Sequence, residues 1–101
     1  MIASSSTTPD YLAHNNLWFN DGPVILLATA PDGDKPVGFR VHAGLLILHS
    51  TLLTEMLRDK LGLDEDEDLL KFDWTKCELY LSLDDHPIDV EYWLSALYDG
   101  L

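Results

Sequence analysis

Phe39-Arg40-Val41-His42-Ala43-Gly44-Leu45-Leu46-Ile47-Leu48-His49-Ser50 is the stretch from which the fold is read. Val37, Phe39 and Val41 alternate with Gly38, Arg40 and His42, the period of two expected of a β-strand. From Ala43 to His49 the alternation gives way to a segment continuously apolar at its centre, which suits a short buried helix. Ser50 is then placed to accept a backbone N–H as the cap of a second helix, which the pattern starts near Thr51.

Working back from this stretch, Pro31-Asp32-Gly33-Asp34-Lys35-Pro36 is dense in turn formers, and Val24-Ile25-Leu26-Leu27-Ala28 ahead of it reads as a strand buried on both faces. The two strands are expected to form a hairpin. Asn20-Asp21-Gly22-Pro23 is a further turn signal, read here through the tolerance of Gly for positive φ and the fixed φ of Pro. Residues 1–16 show no sustained periodicity and are read as a flexible tail, so the domain begins at Leu17 and runs to Leu101.

Working forward, Leu52, Leu53, Met56 and Leu57 fall on one side of a helix, with Gly62 placed to stop it. Asp64-Glu65-Asp66-Glu67-Asp68 is a run of like charges that gains most by staying hydrated, and reads as a loop. Leu79, Leu81 and Leu83 alternate with Glu78, Tyr80 and Ser82 as a half-buried strand. Asp84-Asp85-His86-Pro87 carries helix-start chemistry, and Val90, Trp93, Leu94, Leu97 and Tyr98 then repeat at helical spacing up to Gly100. The expected order is strand, strand, helix, helix, strand, helix.

A chain of 101 residues has room for one small domain, and with 47% apolar residues it can build a core. The formal charge of −12, from 18 acidic against 6 basic residues, repels phosphate backbones and anionic surfaces, which argues against nucleic acid as a partner. The apolar runs are far shorter than the ~20 residues that cross a bilayer, and Met1 to Thr8 lacks the pattern of a secretory signal. Cys77 has no second cysteine to pair with, which fits a cytoplasmic or nuclear setting; as a lone cysteine it is assigned no role.

The order of elements and the residues at their joints resemble the BTB/POZ domain, in particular the fungal versions that open with an aromatic Trp-Phe-x-Asp-Gly segment, here Trp18 to Gly22. The stretch from Phe39 to Ser50 looks like the family's Phe-x-Val-His-x-x-x-Leu-x-x-x-Ser signature, with Phe39, Val41, His42 and Ser50 in place. Met56-Leu57 fits the next helix, and Leu83-Asp84-Asp85 before Pro87 and Leu97-Tyr98-Asp99-Gly100 are similar to later joints of the family. The similarity spans Trp18 to Gly100, with the family's hairpin Asp displaced to Asp21.

What the resemblance implies is an α+β fold, a small sheet of a hairpin plus a third strand flanked by helices, working by homodimerisation or by pairing with another BTB protein. It implies a dimer surface made by Leu17, Trp18 and Phe19 together with Leu45, Leu46, Leu48 and His49 of the first helix. It places His42 at the strand-to-helix joint, hydrogen-bonding backbone. Some members act as substrate adaptors of cullin-based ubiquitin ligases, and Leu63-Asp64-Glu65 resembles their loose cullin-contact pattern, with Leu63 and Glu65 as the contact pair. Members continue into one or two more helices, so this chain is expected to be either a C-terminally truncated, non-functional fragment of a longer BTB protein or a minimal version whose exposed faces another chain must cover. Neither catalysis nor a cofactor is implied.

The competing reading is a small metal-binding or enzymatic domain built on His42, His49 and the acid run. Against it, His14, His49 and His86 lack the i, i+4 spacing of a helical metal pair, and the run at 64–68 lacks the ligand order and the glycine of a calcium loop. Ser50, His49 and Asp59 invite a triad, yet no nucleophile elbow surrounds any serine.

Overall fold

The computed structural model describes residues 10–31, 33, 35–76 and 78–99. Four strands and three helices follow one another as β1 (Leu12–Trp18), β2 (Val24–Ala28), β3 (Val37–Val41), α1 (Ala43–His49), α2 (Thr51–Leu61), β4 (Leu79–Leu83) and α3 (Pro87–Asp99). Two short 3₁₀ turns, Leu69–Lys71 and Trp74–Lys76, lie between α2 and β4. From β2 onward the α+β order is the expected one. Cys77 and Gly100 lie outside the described residues, as do residues 1–9.

The expected hairpin forms, β2 pairing antiparallel with β3 in a register that sets Leu26 opposite Phe39. β4 joins β2 in parallel, Leu26 beside Leu81, and the sheet order is β1-β3-β2-β4. β1 corrects the sequence reading, because residues 12–16, taken there as flexible tail, extend an edge strand parallel to β3. Nothing local marks it. Leu12, Ala13, Asn15 and Asn16 are exposed, and the strand exists because β3 offers it an edge, with a register shift between Ala13 and Trp18.

β2 is buried along its whole length, and the two faces are buried by different means. Val24, Leu26 and Ala28 join Phe39, Val41, Leu46, Leu57, Leu81 and Leu94 in the main core under the helices. Ile25, paired with Arg40 on one side and Tyr80 on the other, is sealed from the opposite face. There Tyr11 sits 5.9 Å from both Trp18 and Tyr80, and the Arg40 guanidinium lies over the Trp18 ring. Burial, then the hydrogen bond that Tyr80 donates to Glu78 at 2.8 Å, pushes the Tyr80 phenol well above its ordinary range.

The helix ends follow the sequence closely. The Ser50 side chain accepts from the Leu53 N–H at 3.1 Å, and Gly62 closes α2 in the left-handed region at φ 68°. Two local readings differ. Leu53 and Leu57 are buried, but Leu52 is 67% exposed, since it stands roughly 100° round the helix from Leu53 and away from the core. Gly22 does not take positive φ; among the described residues Gly62 alone does. Its need for glycine is steric, because a Cβ there would stand 2.6 Å from the Val41 carbonyl oxygen.

Candidate interaction surface

His42 ends the extended segment that leads into α1, and Tyr98 comes from the last turn of α3. The His42 backbone N–H donates to the Tyr98 hydroxyl at 3.0 Å, His42 Nδ1 lies 3.0 Å from the same hydroxyl, and His42 Nε2 lies 2.9 Å from Asp21 Oδ1. One assignment satisfies all three: the Tyr98 O–H donates to Nδ1 and the Nε2–H donates to the carboxylate. The ring thus bonds two side chains, where the resemblance had it bonding backbone. Phe19 stacks on Tyr98 at 4.5 Å between centroids, closing the joint from the N-terminal side.

The hydrogen bond from His42 holds the Asp21 carboxyl below the usual carboxylate range, and burial pushes the Tyr98 phenol up. A carboxyl with a depressed folded-state pKa contributes stability above its unfolded pKa and loses it as the pH falls through the folded value. Asp21→Asn is therefore expected to lower the melting temperature by a constant amount above roughly pH 4, the gap closing as the pH falls further. Thermal unfolding of both proteins across the acid range measures this. A gap that persists unchanged to about pH 2 would sink the assignment.

The residues expected to form a dimer surface divide into two sets. Leu46 is fully buried, and Leu17 and Leu45 are 6% and 8% exposed, so these three hold the core and offer little to a partner. Trp18 and Phe19 are half-buried, the first under Arg40 and the second against Tyr98. Leu48, 68% exposed, and the exposed His49 do face outward at the end of α1. Of the signature residues, Phe39 and Val41 are core, while Ser50, His42 and Tyr98 make the bonds described above.

Leu63 is half-buried against the core and Glu65 is exposed; both border a shallow depression with Thr51, Thr54, Glu55, Arg58 and Asp59. Arg58 organises this corner, its Nη1 donating to the carbonyls of Asp64 and Glu67 at 2.7 Å each. The acid run is a loop, as expected, but one pinned at both ends by a cation.

Sequence reasoning missed a hollow beside α3. The α1–α2 corner and α3 leave between them a groove of about 350 Å³, lined by Leu52, Leu53, Leu83, Val90 and Trp93, with His49, Ser50, Asp85 and Asp89 at its margin. Leu52 was the available signal, a leucine at the first turn of a helix with no place in the buried stripe. His14 was also missed. Its Nδ1 accepts from the Asn16 and Leu17 N–H groups, its Nε2 lies 3.1 Å from Glu91, and its ring stacks on Phe39, which fastens β1 to α3 and the core.

The groups required by the metal or enzymatic reading are spread apart. His42 is held by Asp21 and Tyr98, His49 stands at the far end of α1, and the Ser50 hydroxyl is engaged as a cap. Among the described residues no three His, Cys, Asp or Glu side chains gather as metal ligands, and no helix is long and apolar enough to cross a membrane. No protein-family model matches the chain, nor does any curated protein or solved structure.

Proposed function

We propose that this chain is a protein–protein interaction module of the BTB/POZ kind, acting by self-association or by pairing with a related domain in the cytoplasm or nucleus. One observation carries the proposal. Leu48 and Leu52, at the end of α1 and the start of α2, are 68% and 67% exposed on a fold whose other leucines mostly pack inward. Two large apolar side chains held in water on neighbouring turns cost hydration free energy that a partner would recover. Ile88 and Tyr92, one turn apart on α3, add a second exposed pair at 54% and 73%.

The Asp21–His42–Tyr98 cluster is occupied in holding the fold. These bonds tie the first turn and α1 to α3, which supports reading the chain as a rigid scaffold. A cullin scaffold as further partner rests on the depression beside Leu63 and Glu65.

The test is light scattering coupled to size exclusion over a tenfold concentration range, on the chain and on Leu48→Asp. Because Leu48 lies outside the core, the variant is expected to keep its circular dichroism spectrum. The wild type is expected to run as a dimer that the substitution dissociates. A folded wild-type monomer at every concentration would overturn self-association.

A further inference from the structure

The groove between the α1–α2 corner and α3 is a second surface, adjoining the outward face of Leu48 and sharing Leu52 with it. Its floor is apolar, with Leu53 and Val90 in the core and Leu52, Leu83 and Trp93 partly open above them. The margin on the α3 side carries Asp85 and Asp89, and the lining contains no lysine or arginine. Both acids sit near the start of α3, where they also favour the positive end of the helix dipole. Among the described residues neither is in an ion pair, so their charge faces solvent beside an apolar slot. Of the chain's six lysines and arginines, Lys35 pairs with Asp10, Arg40 with Glu78, and Arg58 is held in the acid loop.

We infer that this groove takes an amphipathic helix of a partner protein, with apolar residues at helical spacing and lysine or arginine flanking them. The inference rests on the reading of the chain as an interaction module. Charge selects the occupant. A second copy of this chain brings another −12 to an acidic margin, and residues 1–9 contain no lysine or arginine to answer it. The lining is made of side chains from helical segments with only the end of a strand, so it presents ridges and a slot, which match a helix better than an added strand. At about 350 Å³ the slot has room for the apolar anchors of one such helix.

The probe is a labelled synthetic peptide of roughly 18 residues, with leucines at i, i+3, i+4 and i+7 and lysines on its other face. A twin carries glutamates in place of the lysines. Fluorescence anisotropy against the full chain is expected to show the lysine peptide binding and the glutamate twin not.

Removing the marginal charges by Asp85→Asn with Asp89→Asn is expected to weaken binding about tenfold at low salt. Leu52→Ser is expected to weaken it by about tenfold or more. Asp64→Asn with Asp66→Asn removes the same number of charges from the exposed loop and controls for the overall acidity of the chain. It is expected to change affinity less than twofold, a small fraction of the effect at the groove.

Equal losses from the two double substitutions, or full affinity in a folded Leu52→Ser protein, would overturn the groove as the site. A folded Leu48→Asp monomer that fails to bind the lysine peptide refutes this inference, while a wild-type dimer by light scattering leaves the proposed function standing. A wild-type monomer that binds it with the expected pattern does the reverse for self-association.

Discussion

Leu46→Asp is expected to leave the chain unfolded. Leu46 has no solvent exposure and packs with Phe39, Leu57 and Leu94 in the core. An aspartate there removes the packing of a whole leucine, about 2–5 kcal/mol, and puts an unpaired carboxylate into an apolar site, about 3–5 kcal/mol more. A domain of this size is held by about 5–15 kcal/mol, so most of its stability goes at once. Far-ultraviolet circular dichroism and urea unfolding at neutral pH read the outcome. Leu48→Asp, two residues along the same helix but exposed, should stay folded, and the pair separates burial in the core from exposure to a partner. A cooperative urea transition for Leu46→Asp within about 1 kcal/mol of the wild type would contradict the packing of α1.

Gly22→Ala is expected to destabilise the domain by about 2–3 kcal/mol, a fall of roughly 10 °C or more in melting temperature. The added Cβ would meet the Val41 oxygen at 2.6 Å, its carbonyl carbon at 2.8 Å and its nitrogen at 3.0 Å. These are backbone atoms at the end of β3, opposite Val24 in the hairpin, and they cannot swing aside as a side-chain tip can. Moving Gly22 instead would strain the 2.7 Å bond that Arg40 Nε donates to its carbonyl and the 2.8 Å bond from its own N–H to Phe19. The entropy that alanine removes from the unfolded chain offsets only about 0.4–1 kcal/mol of this. Gly44→Ala is the contrasting case. Nothing lies within 4 Å of a Cβ there, inside α1, so it is expected to raise stability by about 0.5–1 kcal/mol. Equal melting temperatures for the two alanine variants would refute the close approach of the turn to β3.

Much of the fold was legible in the sequence, and the parts that were share a property. The β2–β3 hairpin, α1, the Ser50 cap, the Gly62 stop, β4 and the start of α3 at Pro87 each rest on residues close together in the chain. Alternation, cap chemistry and turn residues act over a few positions, so a local reading finds them. β1 was not legible because its exposed residues carry no alternation and its pairing partner, β3, lies some twenty residues away. The candidate surface was legible in part. Of the residues that the resemblance assigns to a dimer surface, Leu48 and His49 are exposed, whereas Leu45 and Leu46 turn inward because a seven-residue helix set against a sheet must bury one side of itself.

The residue pattern alone therefore established a small α+β chain, its helix boundaries and an acidic surface, since propensity, periodicity and charge act locally or simply add up. The joining of Asp21 and Tyr98 through His42, the fastening of β1 by His14 and the groove beside Leu52 came from long-range packing. Each brings together groups from segments distant in the chain, and their proximity follows from how sheet and helices dock to fill the core, which no window of local sequence encodes.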